Sequence, residues 1–171
     1  GLLRSLTPQA LGGGHEDGVR SGSHNVAGIV GFGVATSFAA DPRVAVRVAA
    51  LRDSFEAELC SAGYVRVNGR GADRLPNTTN VHIEGAPGDV LLARCPSIAA
   101  SLGSACRAGA LEPSPTLLSM GLDRHAASES VRFSLPSGVD SADVARAAAT
   151  VLEAVRDIRE LQEWRPDHAP R

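Results

Sequence analysis

After Asp41 the apolar residues of this chain switch repeatedly between a helical and an alternating period. That switching limits the fold more than anything else in the sequence. Asp41-Pro42 opens a helix, with a capping side chain before a Pro in the first turn. Val44, Val48, Leu51, Phe55 and Leu59 then recur at spacings of four and three, and Gly63 stands where a C-terminal cap belongs. Tyr64 to Val67 alternates as a strand and ends at an Asn68-Gly69 turn. A second strand is expected from Thr78 to Ile83, a short helix from Pro87 to Arg94, and a short strand from Ile98 to Ala100. Ser114-Pro115 reads as another capped helix start, closing at Gly121. Ser130 to Leu135 alternates again, and a last long helix from Asp140 or Ser141 buries Val144, Ala148, Val151, Val155 and Ile158. This order predicts an α/β, or α+β, domain with a small sheet covered by helices.

The segment before Asp41 has a different character. Residues 1 to 23 are rich in Gly and read as a loop. Residues 24 to 40 carry Val26, Ile29, Val30, Phe32 and Phe38 on an apolar helix. Gly28, Gly31 and Gly33 each cost that helix roughly 1 kcal/mol against Ala, and permit close packing against another element. The domain organisation expected is a segment 1–40, a domain 41–165 and a frayed tail 166–171.

Composition narrows the function classes. Of 171 residues 43% are hydrophobic and only 4% aromatic, so Ala, Val and Leu must fill most of the core. A net charge of −2 gives no broad footprint for nucleic acid. No stretch approaches the length of a membrane span, and no signal peptide is recognisable, so a reducing cytoplasm is the expected location. Cys60, Cys95 and Cys106 are widely spaced without a CxxC pair, which argues against a disulfide framework or a zinc site. Cys60 and Cys95 fall at or near helices and read as buried structural thiols.

Cys106 is different. It sits in Ser101-Leu-Gly-Ser-Ala-Cys-Arg-Ala-Gly-Ala110, among small residues that cannot wall off a sulfur. Arg107 beside it favours thiolate, the form that acts as a nucleophile. His15 with Glu16 is a weak metal motif lacking a second ligand pair, so a structural hydrogen-bonding role is expected and no metal is assigned.

Four blocks occur in order: Gly12-Gly-Gly-His15-Glu-Asp-Gly-Val-Arg20-Ser-Gly-Ser23-His-Asn25, Arg74-Leu-Pro-Asn77-Thr-Thr-Asn80, the Cys106 segment through Gly121-Leu122, and Ser130-Val-Arg132-Phe-Ser-Leu135. Together, over roughly residues 12 to 160, they resemble the C-terminal part of the cysteine desulfurase and selenocysteine lyase family. These are fold-type I, class V aminotransferase relatives that use pyridoxal 5'-phosphate (PLP). The resemblance implies that Cys106 is the nucleophile and persulfide carrier, and that Arg132 binds the carboxylate of L-cysteine. It implies that Ser23, where the family commonly has Thr, meets the PLP phosphate of the neighbouring subunit in a homodimer, with Arg20 in support. It makes residues 1 to about 40 the tail of the large cofactor domain and residues 41–165 the small domain.

All 17 basic residues are Arg, and the chain has no Lys. PLP enzymes hold their cofactor as a Schiff base to Lys. The resemblance therefore implies that an N-terminal part of the same enzyme supplies that residue as a partner. The implied reaction is L-cysteine to L-alanine, with sulfur passed to an acceptor protein in a pathway such as iron–sulfur cluster assembly. The alternatives are a selenocysteine lyase, a PLP-free sulfur-carrier or interaction module, and a catalytically dead dimerisation domain. Arg74-Leu-Pro-Asn-Thr and Arg94-Cys95-Pro96 lean toward the lyase branch.

Overall fold

The computed structural model describes residues 7–39, 41–103 and 112–163. The chain divides into two compact units, Gly1–Asp41 and Pro42–Arg171.

The first unit is a loop followed by helix α1 (Val26–Ala39). Asn25 caps α1, its Oδ1 accepting from the Gly28 amide at 3.0 Å. A Cβ at Gly28 would lie 2.7 Å from Asn25 Nδ2, whereas Gly31 and Gly33 have nothing within 4 Å. Of the three glycines, then, only Gly28 meets a close neighbour, and that neighbour is its own capping side chain rather than another element. The apolar face of α1 is uncovered all round: Ile29, Phe32 and Phe38 are 58%, 72% and 76% exposed.

The second unit packs helices on a three-stranded antiparallel sheet. Helix α2 (Pro42–Cys60) leads into β1 (Val65–Val67), β2 (Thr78–Ile83), α3 (Gly88–Arg94), α4 (Pro115–Ser119), α5 (Arg124–Ser128), β3 (Ser130–Ser134) and α6 (Ser141–Glu163). The strand order is β1-β2-β3, with Val67 opposite Val81 and Val81 opposite Val131. Residues of odd number thus point to one face of β2, and Thr79, Val81 and Ile83 are buried while their neighbours are half-exposed. Val48, Phe55 and Leu59 of α2 and Val144, Ala148, Val151, Val155 and Ile158 of α6 cover that face as one core cluster. Phe55 meets Phe133 edge to face at 5.1 Å, where an aromatic pair compensates for a core otherwise built from aliphatic side chains.

The expected turns are present. Gly63, Gly69 and Gly121 take positive φ, at +81°, +71° and +94°. Three details differ from the sequence reading. Ile98–Ala100 is not a strand; one isolated bridge, Ser101 to Arg132, stands in its place. Ser114 precedes α4 but its side chain makes no capping hydrogen bond, and Pro115 begins the helix instead. α5 is five residues long, too short for a periodic signal, and is held by Asp123 Oδ1 accepting from the Ala126 amide at 2.8 Å.

Candidate functional site

Arg132 stands in the middle of β3, where alternation decides its direction. Val131 and Phe133 are buried at 0% and 5% exposure, and Arg132 between them faces out on the other side of the sheet. Its backbone binds outward to Ser101, with Arg132 N–H donating to Ser101 O at 2.7 Å and Ser101 N–H donating to Arg132 O at 3.0 Å. Ser101 Oγ donates to Gly103 O at 2.7 Å and tightens the backbone just beyond. Cys106 lies in 104–111, outside the described residues. Ser101, five positions before it in the sequence, is bonded to the strand that carries Arg132. This link was missed in the sequence because the strand expected at 98–100 hid the single pairing at 101.

The remaining thiols differ from each other. Cys95 is 1% exposed, with its Sγ 4.0 Å from Thr150 O, and burial pushes its thiol pKa up. Cys60 is only half-buried, a correction to its reading as a buried thiol, and Arg70 Nη2 donates to its sulfur at 3.4 Å.

Arg74, in the second block, is structural in this fold. It makes a two-pronged ion pair with Glu56, at 2.7 and 3.2 Å, and fixes the approach to β2 onto α2. Burial pushes the Glu56 carboxyl up, but the hydrogen bonds from Arg74 and the charges of Arg74 and Arg52 outweigh it, and its pKa lies below the usual carboxylate range. A second polar cluster had no sequence signal, because its members come from three elements. Glu129, 3% exposed at its side chain, lies 3.0 Å from His82 Nε2 and 3.3 Å from His125 Nε2, and accepts from the Gly85 amide at 3.0 Å. It locks β2 to α5 and the start of β3.

In the first unit, Arg20 and Ser23 share one exposed loop, Arg20 Nη2 donating to Ser23 O at 3.5 Å. Glu16 and Asp17 take positive φ in the turn that returns Arg20 to bridge His15, and the His15 ring lies 4.4 Å from that of His24. Among the described residues no three His, Cys, Asp or Glu side chains are arranged to hold a metal. No single described helix is long and apolar enough to cross a membrane.

Comparison with known proteins gives this geometry a context. No family model matches the chain. A cysteine desulfurase of Frankia sp. (strain EuIK1) is 40% identical over 167 residues, covering 94% of this chain and 40% of the relative. The cysteine desulfurase IscS of Anaeromyxobacter sp. (strain Fw109-5) is 40% identical over 159 residues, covering 91% of this chain and 39% of the relative. The structure of a NifS-like protein from Rickettsia africae superposes with a TM-score of 0.72 at 28% identity, over 91% of this chain and 41% of that one. The structure of SspA in complex with cysteine superposes with a TM-score of 0.53 at 30% identity, over 77% of this chain and 36% of that one.

The α+β unit thus has the fold of the NifS-like proteins, a fold-type I C-terminal domain. The chain belongs to the cysteine desulfurase family, and it spans about two fifths of the length of the curated relatives it matches.

PLP, the cofactor of that family, is met only in part by these residues. Ser23 and Arg20 supply a hydroxyl and a guanidinium suited to a phosphate, but with no Lys the chain has no amine for the aldehyde.

Proposed function

We propose that this chain forms the C-terminal part of a PLP-dependent cysteine desulfurase, and that residues outside these 171 supply the cofactor Lys. The observation that supports the reading is the Ser101–Arg132 bridge, which ties Ser101, five positions before Cys106 in the sequence, to the strand that carries an exposed guanidinium. When bound, PLP supplies the electron sink that weakens the carbon–sulfur bond of L-cysteine. Arg132 holds the substrate carboxylate with a planar fork of donors. The Cys106 thiolate, favoured by Arg107, attacks the substrate sulfur. A sulfur–sulfur bond forms as the carbon–sulfur bond breaks. The bonding pair stays with the substrate carbon, which takes up a proton and leaves as L-alanine. The Cys106 persulfide then passes its sulfur to an acceptor protein.

The all-round apolarity of α1 supports assigning the first unit to a larger domain. A helix apolar on every side is an interior helix, and within these residues α1 has no cover. On this reading Ser23 and Arg20 face the PLP phosphate of the neighbouring subunit in a homodimer.

The test uses the complete protein containing this chain, purified with its cofactor band recorded. L-cysteine should yield L-alanine and one added sulfur on Cys106 by mass spectrometry, and Cys106→Ser should abolish both. Undiminished alanine formation by Cys106→Ser would overturn the reading. Sulfur reaching Cys106 only from a donor protein, with no alanine formed, would favour the PLP-free carrier.

A further inference from the structure

We infer that Asn80 is a second donor to the substrate carboxylate, held in its working orientation by Asn68. The inference rests on the reading of Arg132 given above.

Asn80 and Arg132 are register partners on β2 and β3. The backbone bonds Ile83 N–H to Glu129 O (3.0 Å) and Leu135 N–H to Asn77 O (2.8 Å) mark the hydrogen-bonded positions of that ladder. Asn80 and Arg132 fall at the alternate, non-hydrogen-bonded position, where Cα atoms approach to about 4.5 Å and side chains stand closest. Both side chains leave from the sheet face opposite the core.

The orientation of the Asn80 amide follows from its neighbours. The single proton of the Ser130 hydroxyl goes to Ala126 O at 2.7 Å, because a carbonyl can only accept. Toward Asn68, Ser130 Oγ must then accept, so the Asn68 atom 3.0 Å away is its NH2 group. That same NH2 lies 2.6 Å from the Asn80 side chain, which must present its oxygen there. The Asn80 NH2 is therefore turned away from Asn68, and among the described residues it has no hydrogen-bond partner. Nor has the Arg132 guanidinium an ion pair or hydrogen bond among the described residues. Two donors without a protein partner among the described residues, one charged and exposed on Arg132 and one fixed by its neighbours on half-buried Asn80, stand side by side on the same side of the sheet. A carboxylate has four acceptor positions: the Arg fork takes two, and an amide donor suits a third.

The experiment measures KM and kcat for L-cysteine, and the inhibition constant of L-alanine, in the complete protein. The variants are Arg132→Ala, Asn80→Ala, Asn80→Asp and Asn68→Ala, with thermal melts confirming folding. Asn80→Ala should raise KM and the alanine constant about tenfold or more, the size of one hydrogen bond to a charged acceptor, with kcat nearly unchanged. Asn80→Asp keeps the shape and the Asn68 contact but removes the donor, and should raise KM too. It also supplies the test should Asn80→Ala not fold. Asn68→Ala should raise KM less, again without loss of kcat, a split that a merely structural role would not produce. The Arg132/Asn80 double variant should lose less than the sum of the single losses, because both hold one carboxylate. An unchanged KM in both Asn80 variants, with a raised KM in Arg132→Ala, would overturn the inference and leave the Arg132 reading intact. An unchanged KM in Arg132→Ala would remove both.

Discussion

Removing Arg74 is expected to cost more stability than removing the charge of its partner, Glu56. The side chain of Glu56 is 9% exposed and that of Arg74 is 21% exposed, so the carboxylate is the deeper of the two charges. Arg74→Ala strands that carboxylate in the protein, with Arg52 Nε at 3.9 Å as the remaining ion-pair partner. Breaking a fully buried pair from one side costs about 3–5 kcal/mol; with Arg74 partly solvated and Arg52 still near, about 2–3 kcal/mol is expected here. Glu56→Gln leaves an Arg that can reach water and keeps a neutral acceptor, so about 1 kcal/mol is expected. For a chain of this length the larger loss corresponds to a fall in Tm of roughly 5–10 °C.

The pH dependence has a definite sign. The folded-state pKa of Glu56 is depressed, so the pair contributes its full stability above the unfolded-state value, about 4.3, and loses it as pH falls through the lower folded-state value. In Arg74→Ala burial is left largely unopposed and favours protonation, so acidification removes the stranded charge and narrows the gap to wild type. The assay is urea unfolding followed by far-UV circular dichroism at neutral and mildly acidic pH. A loss for Arg74→Ala no larger than that for Glu56→Gln, or a gap that does not change with pH, would refute the reasoning.

Other outcomes follow from the same structure. Leu59→Ala and Val151→Ala remove fully buried side chains between α2, α6 and the sheet, and should cost about 2–4 and 1–3 kcal/mol respectively in urea unfolding. Maleimide labelling of the folded chain should reach Cys60 well before Cys95, because Cys95 is enclosed and its thiol pKa is raised; equal rates would contradict that burial. Gly88→Ala would bring a Cβ to 2.6 Å from Leu102 Cδ2 and 3.1 Å from Ser128 O, next to the Ser101 bridge. It should destabilise by about 1–3 kcal/mol in urea unfolding, and an unchanged midpoint would show that Leu102 moves aside freely. Hydrogen exchange on the isolated chain should find weak protection through α1, whose apolar surface is uncovered, and strong protection through α6.

The sequence by itself determined the longer elements and the family resemblance. The periods of α2, β2, β3 and α6 were legible because each buries one face, and burying one face fixes the spacing of apolar residues. Cys106 and Arg132 stood out through their local surroundings and through blocks in family order. Tertiary structure decided what no local pattern encodes. The strand expected at Ile98–Ala100 became one bridge at Ser101, because pairing depends on where β3 ends up rather than on the segment's own propensity. Arg74 proved to be bound to Glu56, eighteen residues earlier on α2, and so structural. Asn68, Asn80 and Ser130 look like ordinary turn and strand residues in the sequence. Only the pairing of three strands brings them together on one side of the sheet, Ser130 diagonally from Asn80, and only the single proton of a hydroxyl fixes which way their amides point.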